Sequence, residues 1–128
     1  MRTSIPAVLA WVVLGLVPLA GQAHHSGAIY NEATPIKLQG VLSDLEWVNP
    51  HVLMRVDVKA ADGTTTQWVV ESNAPAALRA VGLAKRRLET AVGSMVTLYV
   101  SPAKDGTSLA FFNGIDFPDG TTFHFPKR

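Results

Sequence analysis

No cysteine occurs among the 128 residues. That excludes disulfides, cysteine-ligated zinc and lipid attachment through a thiol. The fold must then rest on its apolar core, aided at most by a metal ion or by oligomerisation. An excess of either charge is also missing. Eleven Lys/Arg stand against ten Asp/Glu, for a formal net charge of +1. A nucleic-acid binder normally shows a basic surplus, and an acidic membrane surface would select one too, so neither partner is indicated. There is no glycine-rich phosphate loop and no Gly-x-Ser-x-Gly elbow. Ser, His and Asp all occur, but without the local spacing of a catalytic triad.

Long apolar runs are absent except for one at the start. Arg2 supplies a positive end, Ile5 to Ala20 is apolar, and Gly21-Gln22-Ala23 places small residues where a signal peptidase cuts. Residues 1–23 therefore read as a cleaved signal peptide, with a periplasmic or secreted product. An uncleaved anchor is the competing reading. It is disfavoured because a spanning helix needs about 20 apolar residues and this run is shorter and carries Pro6 and Pro18. After cleavage no membrane association is expected. Loss of Arg2 would leave equal numbers of basic and acidic residues.

Residues 24–35 are small and polar, with Ile29 and Tyr30 as the large apolar anchors, and read as an extended arm. Residues 36–128 read as one domain. Ile36 to Trp47 is a long strand whose apolar parity shifts after Gly40, the mark of a bulge or bend. Val52, Met54, Val56 and Val58 alternate with polar or half-exposed positions, as a half-buried strand does. Asp62-Gly63 is a hairpin signal. A third strand follows to Glu71, with Trp68 and Val70 on its core side. Pro75 opens a short helix that Gly82 ends. Lys85-Arg86-Arg87 is a charge run, read as a solvated loop. Met95 to Val100 and Leu109 to Phe117 are two further strands, the latter with Phe111, Ile115 and Phe117 on one face. Asp105-Gly106 turns between them, and Asp119-Gly120 leads to a short terminal strand over Thr121 to Phe125. The order of elements predicts a mainly β fold. It is a five- to six-stranded OB-like Greek-key barrel with one short helix between strands three and four. A β-sandwich with a helical insert is the alternative.

Four histidines carry the chemistry on offer: His24, His25, His51 and His124. Cleavage after Ala23 would make His24 the amino terminus, joining an α-amine and an imidazole in one chelating unit. Copper suits such a unit, because divalent affinity peaks there. His51 leaves a turn fixed by Asn49-Pro50 and is a candidate second ligand, or else a half-buried ring bonded to a backbone carbonyl. His25 is a spare ligand. Glu71 either orients a histidine ring or fills a coordination position. Alternatively it bonds the first-turn amides of the helix that follows. His124 lies between Phe123 and Phe125 and reads as exposed.

Ala23-His24-His25-Ser26, Gly40-Val41 and Trp47-Val48-Asn49-Pro50-His51 resemble a family of small exported bacterial proteins of unknown function. Trp68, Glu71, Pro75, Leu78, Gly82, Gly93, Val96, Asp105-Gly106 and Asp119-Gly120 fit the same family. The resemblance implies an exported β-rich domain and no activity. Three functions are therefore weighed. The first is a copper-binding module using His24, His51, His25 and Glu71. The second is a non-metal module holding a small ligand or protein near Trp47, Asn49 and His51. The third, ranked last, is a copper oxygenase-like enzyme. The reading is of a non-enzyme, with oligomeric state and physiological role open.

Overall fold

The computed structural model describes residues 26–125. The elements in chain order are α1 (Ser26–Ile29), β1 (Ile36–Trp47), β2 (Val52–Lys59), β3 (Thr65–Glu71), α2 (Pro75–Ala80), α3 (Lys85–Glu89), β4 (Met95–Pro102), β5 (Leu109–Asp116) and β6 (Thr122–His124). The sheet order is β3-β2-β1-β4-β5-β6, and a parallel pairing of β3 with β5 closes the first five strands into a barrel. This is the predicted OB-like Greek key, with β6 added. The signal-peptide reading of residues 1–23, and the placement of His24 and His25, lie outside the described residues. No helix among the described residues is long and apolar enough to cross a membrane.

Period-2 patterning explains the strands. Val52, Met54 and Val56 of β2 are wholly buried, while Leu53, Arg55 and Asp57 alternate outward. Leu38 and Leu42 of β1 enter the same core, with Gly40 between them. Gly40 is not a bulge. A Cβ there would lie 2.9 Å from the Asp57 carbonyl carbon and from Val56 Cγ1, so the position serves close strand approach. The bulge falls three residues later. Leu42 pairs with Val56 but Asp44 pairs with Arg55, leaving Ser43 as the extra residue. Past it the inward parity passes to Leu45 and Trp47, both packed against the core.

A second irregularity corrects the expected face of β5. Tyr99 pairs with Gly114 and Val100 with Phe112, so Asn113 is skipped. Phe112 and Ile115 are wholly buried, whereas Phe111 turns outward. Trp68 packs against the core from the expected side of β3 but stays half-buried, on the part of β3 that does not pair with β5.

Two helices, not one, lie between β3 and β4. Pro75 occupies the first turn of α2, where its missing amide is harmless, and Leu78 of that helix is buried. The Lys85-Arg86-Arg87 run forms α3 instead of a loop. Its charges face water while Leu88 is wholly buried. Arg87 stacks over Phe117, 4.4 Å from the ring centre, and pairs with Asp119, tying α3 to the last turn.

Three tight turns share one sequence, Asp-Gly-Thr, at 62–64, 105–107 and 119–121. In each, the threonine amide and hydroxyl both donate to the aspartate Oδ1, with amide distances of 2.9, 3.0 and 2.9 Å. These bonds hold all three aspartates below the usual carboxylate range, the threonine hydroxyl being the main cause. Beyond Phe111 the chain of β3 has left the sheet, and β6 takes its place beside Gly114–Asp116.

Candidate functional site

The β1–β2 turn and the end of β3 meet at one end of the barrel. Pro50, which follows Asn49 through a cis bond, restricts the backbone before His51. Two residues on, Leu53 pairs with Glu71 in the β2–β3 ladder, while Ser72 N donates to Val52 O at 2.8 Å. The ladder therefore brings Glu71 and Ser72 alongside His51. His51 Nδ1 lies 2.7 Å from Glu71 Oε1 and 3.1 Å from the Ser72 carbonyl oxygen. Both neighbours are acceptors, so Nδ1 carries the proton and the lone pair of the neutral ring sits on Nε2. That nitrogen has no partner among the described residues, and the side chain is 47% exposed.

Glu71 does not cap α2, whose first turn has Ala74 at its cap and no side-chain cap bond. Its second oxygen accepts instead from Tyr30, whose hydroxyl donates to Oε2 at 2.5 Å. Tyr30 arrives from the arm. The expected extended arm is a helical turn at Ser26–Ile29, followed by a single bridge between Tyr30 and Ala103. Asn31 N donates to Pro102 O at 2.8 Å and Lys104 N to Ile29 O at 2.9 Å. The Tyr30 ring packs on the outward Phe111, 5.6 Å between centres, and the residue is only 2% exposed. Burial first, and then the bond to Glu71, hold its phenol well above the ordinary range. Tyr30, Glu71 and His51 thus form one chain of hydrogen bonds running from the buried arm to an exposed ring nitrogen.

Trp47, Val52 and Ser72 lie next to this chain along the paired strand ends. Trp47 is the ladder partner of the wholly buried Val52, and Ser72 is itself wholly buried. Trp47 Nε1 and Ser72 Oγ are buried without a partner among the described residues. His124 lies elsewhere. It is exposed, as expected, and rests over Gly114 with its ring 4.6 Å from Tyr99. Its Nε2 is 3.5 Å from Asp116 Oδ1, and Tyr99 donates to Asp116 Oδ2 at 2.8 Å. A shallow groove of about 670 Å³, lined by Gln39, Gly40, Val41, Asp57, Lys59, Thr65 and Met95, holds none of Trp47, Asn49 or His51.

Of the sequence candidates, His51 and Glu71 come together, while His24 and His25 lie outside the described residues. Among the described residues no three His, Asp or Glu side chains converge, so His51 with Glu71 is at most a half-site. The residue that sequence reasoning passed over is Tyr30. Its one signal was being a large aromatic in an otherwise small, polar stretch. No curated protein and no solved structure matches the chain. A family profile does match over residues 13–112, which is most of the chain's length, and on that basis the chain belongs to DUF6152, a family of unknown function.

Proposed function

We propose that the chain is a small exported binding module that holds one copper-class ion between its processed amino terminus and His51. The observation that carries this reading is the state of His51. Glu71 and the Ser72 carbonyl occupy Nδ1, which leaves an exposed Nε2 lone pair aimed away from the carboxylate. A carboxylate on the far nitrogen is the usual outer partner of a metal-binding histidine, fixing its tautomer and raising its basicity. Both oxygens of Glu71 are engaged, so its role is to orient the ring rather than to coordinate.

The other half of the site is His24, through its ring and its α-amine, with His25 as an alternative ligand. Docking of Tyr30 tethers them. Six residues lead from His24 to Tyr30, a span of at most about 20 Å if fully extended and less with Ser26–Ile29 wound as a helical turn, and the site requires this span to bring His24 to His51. Both ligand types bind only when deprotonated. Protons therefore compete with the metal, and affinity should fall on acidification.

The experiment is a metal titration of protein beginning at His24, its identity checked by intact mass after export. One Cu(II) should bind, more tightly than Zn(II). Adding one residue before His24 should weaken binding, and His51→Ala should weaken it independently. His124→Ala should change little. If the extension and His51→Ala both leave copper affinity unchanged, the metal reading is wrong and the non-metal binding module replaces it. Oxygen consumption with a reductant would be the mark of the enzyme reading.

A further inference from the structure

We infer that Tyr30 is the positioning residue of this site: through Glu71, its hydroxyl strengthens the hold, shared with the Ser72 carbonyl, that keeps the proton on Nδ1 of His51. The inference deepens the metal-site reading and rests on it only for the effect on affinity. Glu71 stands at the last position of β3, and a terminal carboxylate torsion is soft, so the ladder alone does not aim its oxygens. Two contacts do. Oε1 faces His51 Nδ1 at 2.7 Å, and Oε2 accepts from Tyr30 at 2.5 Å. Tyr30 is the rigid member of the three. Its ring is packed on Phe111, its backbone is bridged to Ala103, and the amides on either side of that bridge are bonded to the barrel. His51 is the loose member, half-exposed and preceding β2. Order therefore passes from the buried phenol to the exposed ring. Without the Tyr30 hydroxyl, Glu71 is free to rotate away and Nδ1 keeps only the Ser72 carbonyl at 3.1 Å.

Through Tyr30, the arm sets the ring orientation of His51. By the reciprocity of linkage, whatever occupies His51 in its oriented form also strengthens docking of the arm.

The test uses metal-free protein labelled with ¹⁵N histidine, at a pH where the ¹⁵N shifts show the His51 ring to be neutral. Long-range ¹H–¹⁵N spectra report the tautomer. Wild-type His51 should be mainly the Nδ1–H form. Tyr30→Phe, which keeps the ring packing, should move it toward a mixture containing the Nε2–H form. Tyr99→Phe, which removes the other tyrosine–carboxylate bond, should leave His51 unchanged. Cu(II) affinity of Tyr30→Phe should fall about tenfold, the lower end of what outer partners of metal-binding histidines contribute. An unaltered His51 tautomer in Tyr30→Phe, or an equal change in Tyr99→Phe, overturns the inference. If the tautomer responds as described but the wild type takes up no copper, the positioning role stands and the metal reading falls.

Discussion

His51 and Glu71 touch, Nδ1 to Oε1 at 2.7 Å, because Leu53 and Glu71 are ladder partners and the chain turns back just before β2. The contact is built by register, so it survives only while β2 and β3 stay aligned. On the other side of Glu71 stands a nearly buried phenol, which makes the carboxylate a structural keystone as well as an orienting group. Glu71→Ala should therefore cost about 1–3 kcal/mol in urea denaturation, since it leaves the Tyr30 hydroxyl buried and unpaired. Adding Tyr30→Phe to Glu71→Ala should cost less than Tyr30→Phe alone. Equal costs in the two backgrounds would show that the two side chains do not interact.

Trp68 and Phe112 should separate clearly in a stability scan. Phe112 is wholly buried, and Phe112→Ala should cost about 3–5 kcal/mol. Trp68 is half-buried on the part of β3 that pairs with β2 but not with β5, and Trp68→Ala should cost about 0.5–3 kcal/mol, the ordinary range for single substitutions. A larger loss at Trp68 than at Phe112 would mean that the barrel packs on β3 more closely than described.

Gly40→Ala is expected to destabilise by about 1–3 kcal/mol, the range for overpacking, although alanine is unexceptional in a strand. Its Cβ would meet Val56 Cγ1 at 2.9 Å and the backbone of Asp57 closer than van der Waals contact allows, and a backbone neighbour cannot swing aside. Gly63→Ala meets nothing nearby but sits at a φ of +87°, so any loss there would come from backbone conformation alone. Thermal unfolding of both, with strand spectra recorded, distinguishes crowding from conformational strain.

Acid should weaken the fold through the three Asp-Gly-Thr turns. Asp62, Asp105 and Asp119 all titrate below the ordinary carboxylate range when folded. Each binds its proton more readily unfolded, so each contributes stability above the unfolded value of about 3.9 that is lost as pH falls through the folded value. Stability should accordingly decline below about pH 4. Replacing all three by asparagine should flatten that decline while keeping an oxygen to accept from the threonines. An unchanged acid slope in the triple variant would place the sensitivity elsewhere.

The barrel was legible because its signals are local. Alternation in Val52 to Val58, glycine after aspartate, and Pro75 at a helix start each act within a few residues. What escaped was set by distant partners. The bulges at Ser43 and Asn113 exist because of the strands beside them, and each reverses the faces that follow, which is why Ile115 is buried with Phe112 and not on the face of Phe111. A run of three basic residues concealed α3, whose only core residue is Leu88. At the candidate site His51 stood out through its proline-fixed turn. Glu71 was ambiguous, since a carboxylate at a strand end serves a helix cap or a histidine equally well in one dimension. Tyr30 was unreadable in this role, because its partner lies on β3, 41 positions along the chain.

β6 has a consequence for how copies of this chain behave toward one another. β3 pairs with β5 only as far as Phe111, so the rest of β5 would present a row of vacant amides and carbonyls to solvent. Such open edges recruit strands from neighbouring molecules and start aggregates. Thr122–His124 folds back from the Asp119-Gly120 turn and takes that seat. The outer strand at this place is thus only three residues long, and a short edge offers little for a neighbouring strand to pair with.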